Sequence, residues 1–204
     1  MSRALIVVDV QRDFCEGGPL AALDTPSLLQ PLHSFIAAAR QADVKIVFTQ
    51  DWHPPNHSSF HTTGGSWPVH CVACLHGAEL MPPLATHQAD LIIHKGETVA
   101  GPGYSGFENT PLAENLSVLG IDEVAVCGIA TEHCVRATAI DALQARFRVT
   151  LLTDLIRPVR ADAVADLLQE MAALGIATIA SKTWLRFSEP SVAYQKRQTR
   201  PDAS

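Results

Sequence analysis

No run of apolar residues in this chain approaches the ~20 needed to cross a bilayer. The early apolar run Ala4 to Val8 is followed at once by Asp9 and Arg12, too short for the core of a secretory signal. A cytoplasmic protein without a membrane partner is therefore expected. Positive charge is scarce: 15 Lys and Arg stand against 21 Asp and Glu, a formal net charge of -6. Such a surface repels phosphates, whose neutralisation supplies most non-specific nucleic-acid affinity, so a nucleic-acid partner is not expected. The short basic patch Lys196, Arg197 and Arg200 lies in a polar tail and reads as a solvated end. Cysteines are few and odd in number, Cys15, Cys71, Cys74, Cys127 and Cys134, without the spacing of a disulfide framework. What remains is a globular composition, 47% hydrophobic and 18% charged over 204 residues. A chain of this size supports one core that buries roughly 70% of the unfolded surface.

Short β-branched runs recur between longer stretches of helical spacing. Ala4 to Asp9, Val44 to Gln50, Leu91 to Lys95, Glu123 to Cys127, Val149 to Thr153 and Ala177 to Ala180 read as strands. Pro26 to Ala42, Pro111 to Leu119, Glu132 to Ala145 and Ala161 to Leu174 read as helices, with Gly120 and Gly175 as stops. Strand followed by helix, repeated, predicts an α/β fold: a parallel sheet of about six strands with helices on both faces. Residues 1–188 are expected to form one domain and residues 189–204 a polar C-terminal tail. The segment His53 to Leu84, rich in Pro, Gly, His and Ser, has no sustained period, and loops of that length usually carry function.

In open α/β sheets ligands bind beyond the carboxyl ends of the strands. The residues there are Asp9, then Asp51 and His53, then Lys95, then Cys127 leading to Cys134. An acid, a cation and a thiol could converge. In Gly128 to Cys134, Thr131 is expected to cap the following helix and set Cys134 at its third position, where the helix dipole favours a thiolate. Cys134 is then expected to be the most reactive of the five thiols. Judged alone, Cys134 reads as readily as a small buried hydrophobe, Asp9 as the cap of the Gln11 to Phe14 turn, and Lys95 as a solvated strand end. The histidines are more specific. Asp51 and His53 are two apart, so an extended chain points both to one face. His57 follows a bend forced by Pro54 and Pro55, and His70 comes from the same long loop. One carboxylate and three imidazoles suit one divalent ion of zinc, iron or manganese. Cys71-Val72-Ala73-Cys74 lacks the second pair of a zinc site.

Five segments together resemble the nicotinamidase/pyrazinamidase family of isochorismatase-like cysteine hydrolases. They are Val7 to Phe14, Asp51 to Phe60, Ser66 to Cys71, Tyr104 to Phe107 and Gly128 to Val135, in the family's order. The resemblance implies an isochorismatase-like hydrolase fold and hydrolysis of nicotinamide to nicotinic acid and ammonia in NAD salvage, with pyrazinamide also accepted. It implies Cys134 as nucleophile, Asp9 as base and Lys95 as the cation that organises both. Asp51, His53, His57 and His70 would hold the metal, which in the family faces the pyridine nitrogen. Phe14 and Trp67 would bind the ring, with Tyr104 and His133 nearby, and Ile129-Ala130 would be a cis peptide beside the oxyanion. Cys74 and His76 depart from the small or hydroxyl residues usual in relatives. A homo-oligomer is compatible with this reading. Two other readings are a metallohydrolase in which Cys134 is structural and a non-enzymatic binder on the same scaffold.

Overall fold

The computed structural model describes residues 2–101 and 103–186; the expected tail, residues 189–204, lies outside them. Six strands form one parallel sheet: β1 Ser2–Val8, β2 Lys45–Asp51, β3 Leu91–Lys95, β4 Ile121–Ile129, β5 Arg148–Arg157 and β6 Ala177–Ile179. Their order is β3-β2-β1-β4-β5-β6. Successive β1 side chains alternate between two cores, as strand pleating requires. Leu5 and Val7 pack with Leu28, Leu32 and Phe35 of α1 (Thr25–Gln41) and with Trp184 of α5 (Ser181–Arg186). Ala4, Ile6 and Val8 pack on the other face with Leu116 of α2 (Leu112–Val118), Ala139 of α3 (Arg136–Gln144) and Leu167 of α4 (Ala163–Ala173). Burial on both faces is why the strands read as unbroken apolar runs. Among the described residues no helix is long and apolar enough to cross a membrane.

Beyond shifts of one or two residues at element ends, as where β4 runs Ile121–Ile129, three elements differ from the sequence reading. Strand β5 continues past Thr153 to Arg157, because its pairing with β4 skips from Val126↔Leu151 to Gly128↔Ile156. The polar Thr153 and Asp154 lie in that irregularity and end the apolar run early in the sequence. Helix α5 was not expected, since six residues show no period. It is held by tertiary contacts: Asp154 accepts hydrogen bonds from Ser181 N and Oγ, Trp184 Nε1 donates to Glu123 at 2.7 Å, and Arg3 lies 4.2 Å from the Trp184 ring centre. The helix expected from Glu132 divides into a π-helical turn, Thr131–Val135, and α3.

The order of the strands reverses at β1, which lies between β2 and β4. Such a switch point opens a crevice at the carboxyl ends of the strands on either side. Asp9 stands immediately after β1 with φ of 47°, and the π turn follows β4, so both enter the crevice.

Candidate active site

Beneath this crevice the polar strand ends meet. Pairing of Val8 with Thr49 brings Thr49 beside Asp9, and its hydroxyl donates to Asp9 Oδ1 at 2.6 Å. Lys95 is 1% exposed. Its Nζ lies 2.8 Å from Asp9 Oδ2, pairs closely with Asp51 Oδ1, donates to the Gly103 carbonyl at 2.9 Å and stands 3.5 Å from Cys134 Sγ. Lys95 is thus no solvated strand end, and the Asp9 carboxylate is engaged here instead of capping a turn. Burial would lower the Lys95 pKa, but Asp51 and Asp9 outweigh it and hold the amine well above its usual value. Burial raises Asp9 although Lys95 opposes it. Asp51 would also rise by burial, yet Lys95 and His53 hold it well below the ordinary carboxylate range. The two carboxylates on one ammonium therefore differ, one proton-accepting and one firmly ionised.

Cys134 differs from its expectation. Thr131 provides no cap: the residue before the turn is Ala130, no side chain caps it, and the buried Thr131 Oγ1 has no hydrogen-bond partner. The α-helix begins only at Arg136, so Cys134 does not occupy an α-helical first turn. Burial pushes its thiol well above the ordinary value; Lys95 opposes this and the Asp9 and Asp51 carboxylates reinforce it. The resting thiol is protonated, with a carboxylate of raised pKa beside it. The Ile129-Ala130 bond is cis.

On the far side of Lys95 stands the histidine set. Asp51 Oδ2 is 3.5 Å from His53 Nε2 and 3.9 Å from His70 Nε2, and the three residues offer ligand atoms within 4.8 Å of one another. The His57 ring stacks on His53 at 4.1 Å, and its buried Nε2 has no partner. Each ring is oriented through Nδ1: His53 on the Gly96 carbonyl, His57 on Ser59 Oγ and His70 on the Pro68 carbonyl. This turns the Nε2 atoms of His53 and His70 towards the Asp51 carboxylate, where a cation could be shared among them, the usual support for metal-bound imidazoles. His57 is lowered to about 4 by burial and by His53, so it is neutral near pH 7, and in the tautomer whose Nδ1–H donates to Ser59 Oγ its partnerless Nε2 offers a lone pair. The donor set fits one divalent ion. Gly96 is demanded by this packing, since a Cβ there would lie 2.4 Å from His53 Cε1.

A cavity of about 230 Å³ opens over both groups. Phe14, Trp67, Tyr104, Ala130, His133 and Cys134 line it, together with Asp51, His53 and His70. Trp67 Nε1 donates to Tyr104 Oη at 3.1 Å, and His133 stacks on Tyr104 at 5.9 Å. Phe14 stands 5.6 Å from His70. The volume is below the roughly 300–1,000 Å³ of drug-sized ligand sites and suits a single ring with a short substituent.

Of the sequence-expected residues, Phe14, Asp51, His53, Trp67, His70, Tyr104, Ala130, His133 and Cys134 line the cavity, and Asp9 and Lys95 join it through their contacts with Asp51 and Cys134. His57, stacked on His53 but outside the Asp51, His53 and His70 group, and the buried Ile129 do not line it. Two supports were not anticipated as functional. One is Thr49. The other is Gln11, fully buried, whose amide donates to the Asp51 and Ala78 carbonyls at 2.8 and 2.9 Å while its oxygen accepts from Asp51 N at 2.8 Å. A glutamine three residues after an apolar strand was the available signal.

Of the five thiols only Cys74 is exposed, so access favours Cys74 over Cys134, the thiol expected to react first. Iodoacetamide should modify Cys74 most readily and Cys134, through the cavity, next; Cys15, Cys71 and Cys127 should react only after unfolding. Peptide mapping against time checks the order, and native labelling of Cys127 at the rate of Cys134 would contradict the described burial.

Residues 3–183 match the Isochorismatase domain family. The chain is 41% identical to a nicotinamidase/pyrazinamidase of Mycobacterium tuberculosis over 88% of this chain and 99% of that protein. A zinc complex of a pyrazinamidase from Pyrococcus horikoshii superposes with a TM-score of 0.84 at 42% identity, covering 88% of this chain and 99% of that one. A protein of L. infantum in complex with nicotinate gives 0.82 at 38% identity, covering 89% and 93%.

Proposed function

The chain belongs to the isochorismatase family, and from that membership and the cavity we propose that it is a nicotinamidase, an amidohydrolase that converts nicotinamide to nicotinic acid and ammonia and also accepts pyrazinamide. The observation that carries this reading is the single cavity shared by Cys134 and by the Asp51, His53 and His70 set. A thiol and a metal-ligand set thereby face the same small cavity, where one ring compound with a short substituent could meet both.

In this reading Asp9 takes the Cys134 proton, and Sγ attacks the carboxamide carbon. The backbone N–H groups around Ala130 and Cys134 receive the oxyanion. The proton held on Asp9 passes to the departing nitrogen, which leaves as ammonia. Water then cleaves the thioester, with Asp9 again as base and Lys95 keeping its pKa within working range. Asp51, His53, His57 and His70 would hold one divalent ion of zinc, iron or manganese. When bound, it would supply a Lewis-acidic anchor for a ring nitrogen. Phe14, Trp67, Tyr104 and His133 orient the ring.

Ammonia release from nicotinamide, pyrazinamide, benzamide and a linear carbamoyl compound tests the proposal. Nicotinamide and pyrazinamide should be hydrolysed and benzamide, which lacks the ring nitrogen, much less. Turnover of the linear compound alone would defeat the reading. Asp9→Asn keeps the size of the side chain and should lower kcat by about 10²-fold or more, the scale of general-base loss. Near wild-type kcat would assign Asp9 a purely structural role.

A further inference from the structure

One wall of the cavity has no part in the chemistry above. Val159, 38% exposed, lines it together with Pro19, Leu20 and Ala21. Val159 belongs to no strand or helix; it follows the end of β5, a segment that would be free to shift unless fixed from outside. The fixing group is Glu132, in the same π turn as Cys134. Glu132 Oε1 accepts from Arg160 N at 2.7 Å and Oε2 from Val159 N at 3.1 Å. Two backbone donors on one carboxylate are charge-assisted and directional, so the carboxylate sets where Val159 stands relative to the turn that carries the thiol. The same loop is tied to the segment just after Pro19, Leu20 and Ala21, because Leu23 N donates to the Pro158 carbonyl at 2.8 Å and Arg157 Nε to the Asp24 carbonyl at 3.0 Å.

We propose that Glu132 is a positioning residue for substrate selection: by holding Val159 N–H and Arg160 N–H it fixes the apolar wall formed with Leu20, and this wall sets the largest ring the site admits. The proposal rests on the reading of the cavity as a site for a single-ring carboxamide. Glu132 has no role in proton transfer. Its carboxylate is occupied by the two N–H groups, and its effect passes through the position of Val159.

Access past the wall can be read without turnover. Wild-type protein, Val159→Ala, Val159→Leu, Glu132→Gln and Glu132→Ala are treated with N-methylmaleimide and N-phenylmaleimide. The rate at Cys134 is followed by peptide mass spectrometry, apart from that at exposed Cys74. The phenyl-to-methyl rate ratio should rise about tenfold in Val159→Ala and in Glu132→Ala, the low end of discrimination by one methylene-sized change in an apolar pocket. It should fall in Val159→Leu and be intermediate in Glu132→Gln, which keeps one acceptor oxygen. The double variant Glu132→Ala/Val159→Ala should gain less than the product of the single effects, since both relax one wall. In steady state the same variants should raise KM for nicotinamide more than they lower kcat, and shift kcat/KM towards ring-methylated nicotinamides. A ratio unchanged in Glu132→Ala while Val159→Ala alters it would overturn the positioning role, and a ratio unchanged in every variant would overturn the wall itself. If wild-type protein released no ammonia from nicotinamide while the maleimide ratios moved as described, the function reading would fail and the wall would stand.

Discussion

Replacing Lys95 with methionine is expected to lower stability by about 3–5 kcal/mol, the cost of removing one partner from a buried charge pair. Methionine keeps most of the chain length, so the effect is electrostatic. Asp9 and Asp51, 0% and 4% exposed, would face each other without the ammonium that now neutralises both, and the Gly103 carbonyl would lose its donor. For a chain of this size the loss corresponds to about 6–20 °C in Tm, measured on metal-free protein, where no other cation faces the pair. The sign of its pH dependence follows from Asp9. Burial already raises its pKa above the unfolded value, with Lys95 opposing; without Lys95 it rises further. A carboxyl with a raised folded pKa favours the folded state below its unfolded pKa and disfavours it as pH rises through the folded pKa. The variant should therefore be closest to wild type in mild acid and furthest from it above neutrality. Activity should fall by about 10²-fold or more, because the charge that tunes Asp9 and faces Cys134 is gone. A Tm within 2 °C or so of wild type across this pH range would contradict a charged, bridging Lys95.

Much of this arrangement was legible in the sequence, for a physical reason. Strands covered on both faces read as continuous apolar runs, and the polar residue ending each run, Asp9, Asp51 or Lys95, marks the crevice. The spacing of Asp51 and His53 placed two ligand candidates on one face, and the prolines beyond them excluded a helical histidine pair. Resemblance to a family supplied the remaining roles. What could not be read depends on contacts between distant segments. The strand order, the second half of β5 across its bulge and the six-residue α5 are fixed by pairing and packing between segments apart in sequence, as between Gly128 and Ile156 or, 181 residues apart, Arg3 and Trp184. The same holds in the site. Lys95 was expected to serve Asp9 and Cys134, but its pairing with Asp51, which joins the proton-transfer group to the metal-ligand set, appears only when β2 and β3 lie side by side. Thr131 looked like a cap because local sequence cannot distinguish a π turn from an α-helical start. The thiolate expected at Cys134 is disfavoured for a related reason, since burial first and then two neighbouring carboxylates oppose the ionisation that a helix terminus would favour.

Cys134→Ala removes only a sulfur from a buried position, so the fold and the histidine set should survive, and the variant should still bind metal and nicotinamide. Loss of a covalent nucleophile is expected to reduce turnover by about 10⁴-fold or more. Removal of metal from wild-type protein has a different signature. Hydrolysis should fall by about 10²-fold through lost positioning, while Cys134 remains open to alkylation. The two variables separate a thiol that attacks from a thiol that merely packs. The most direct measurement is ammonia release from nicotinamide by metal-loaded Cys134→Ala beside metal-loaded wild type. The account predicts rapid release by wild type and essentially none by the variant; hydrolysis by the variant within about tenfold of wild type, lost on chelation, would contradict the thiol mechanism.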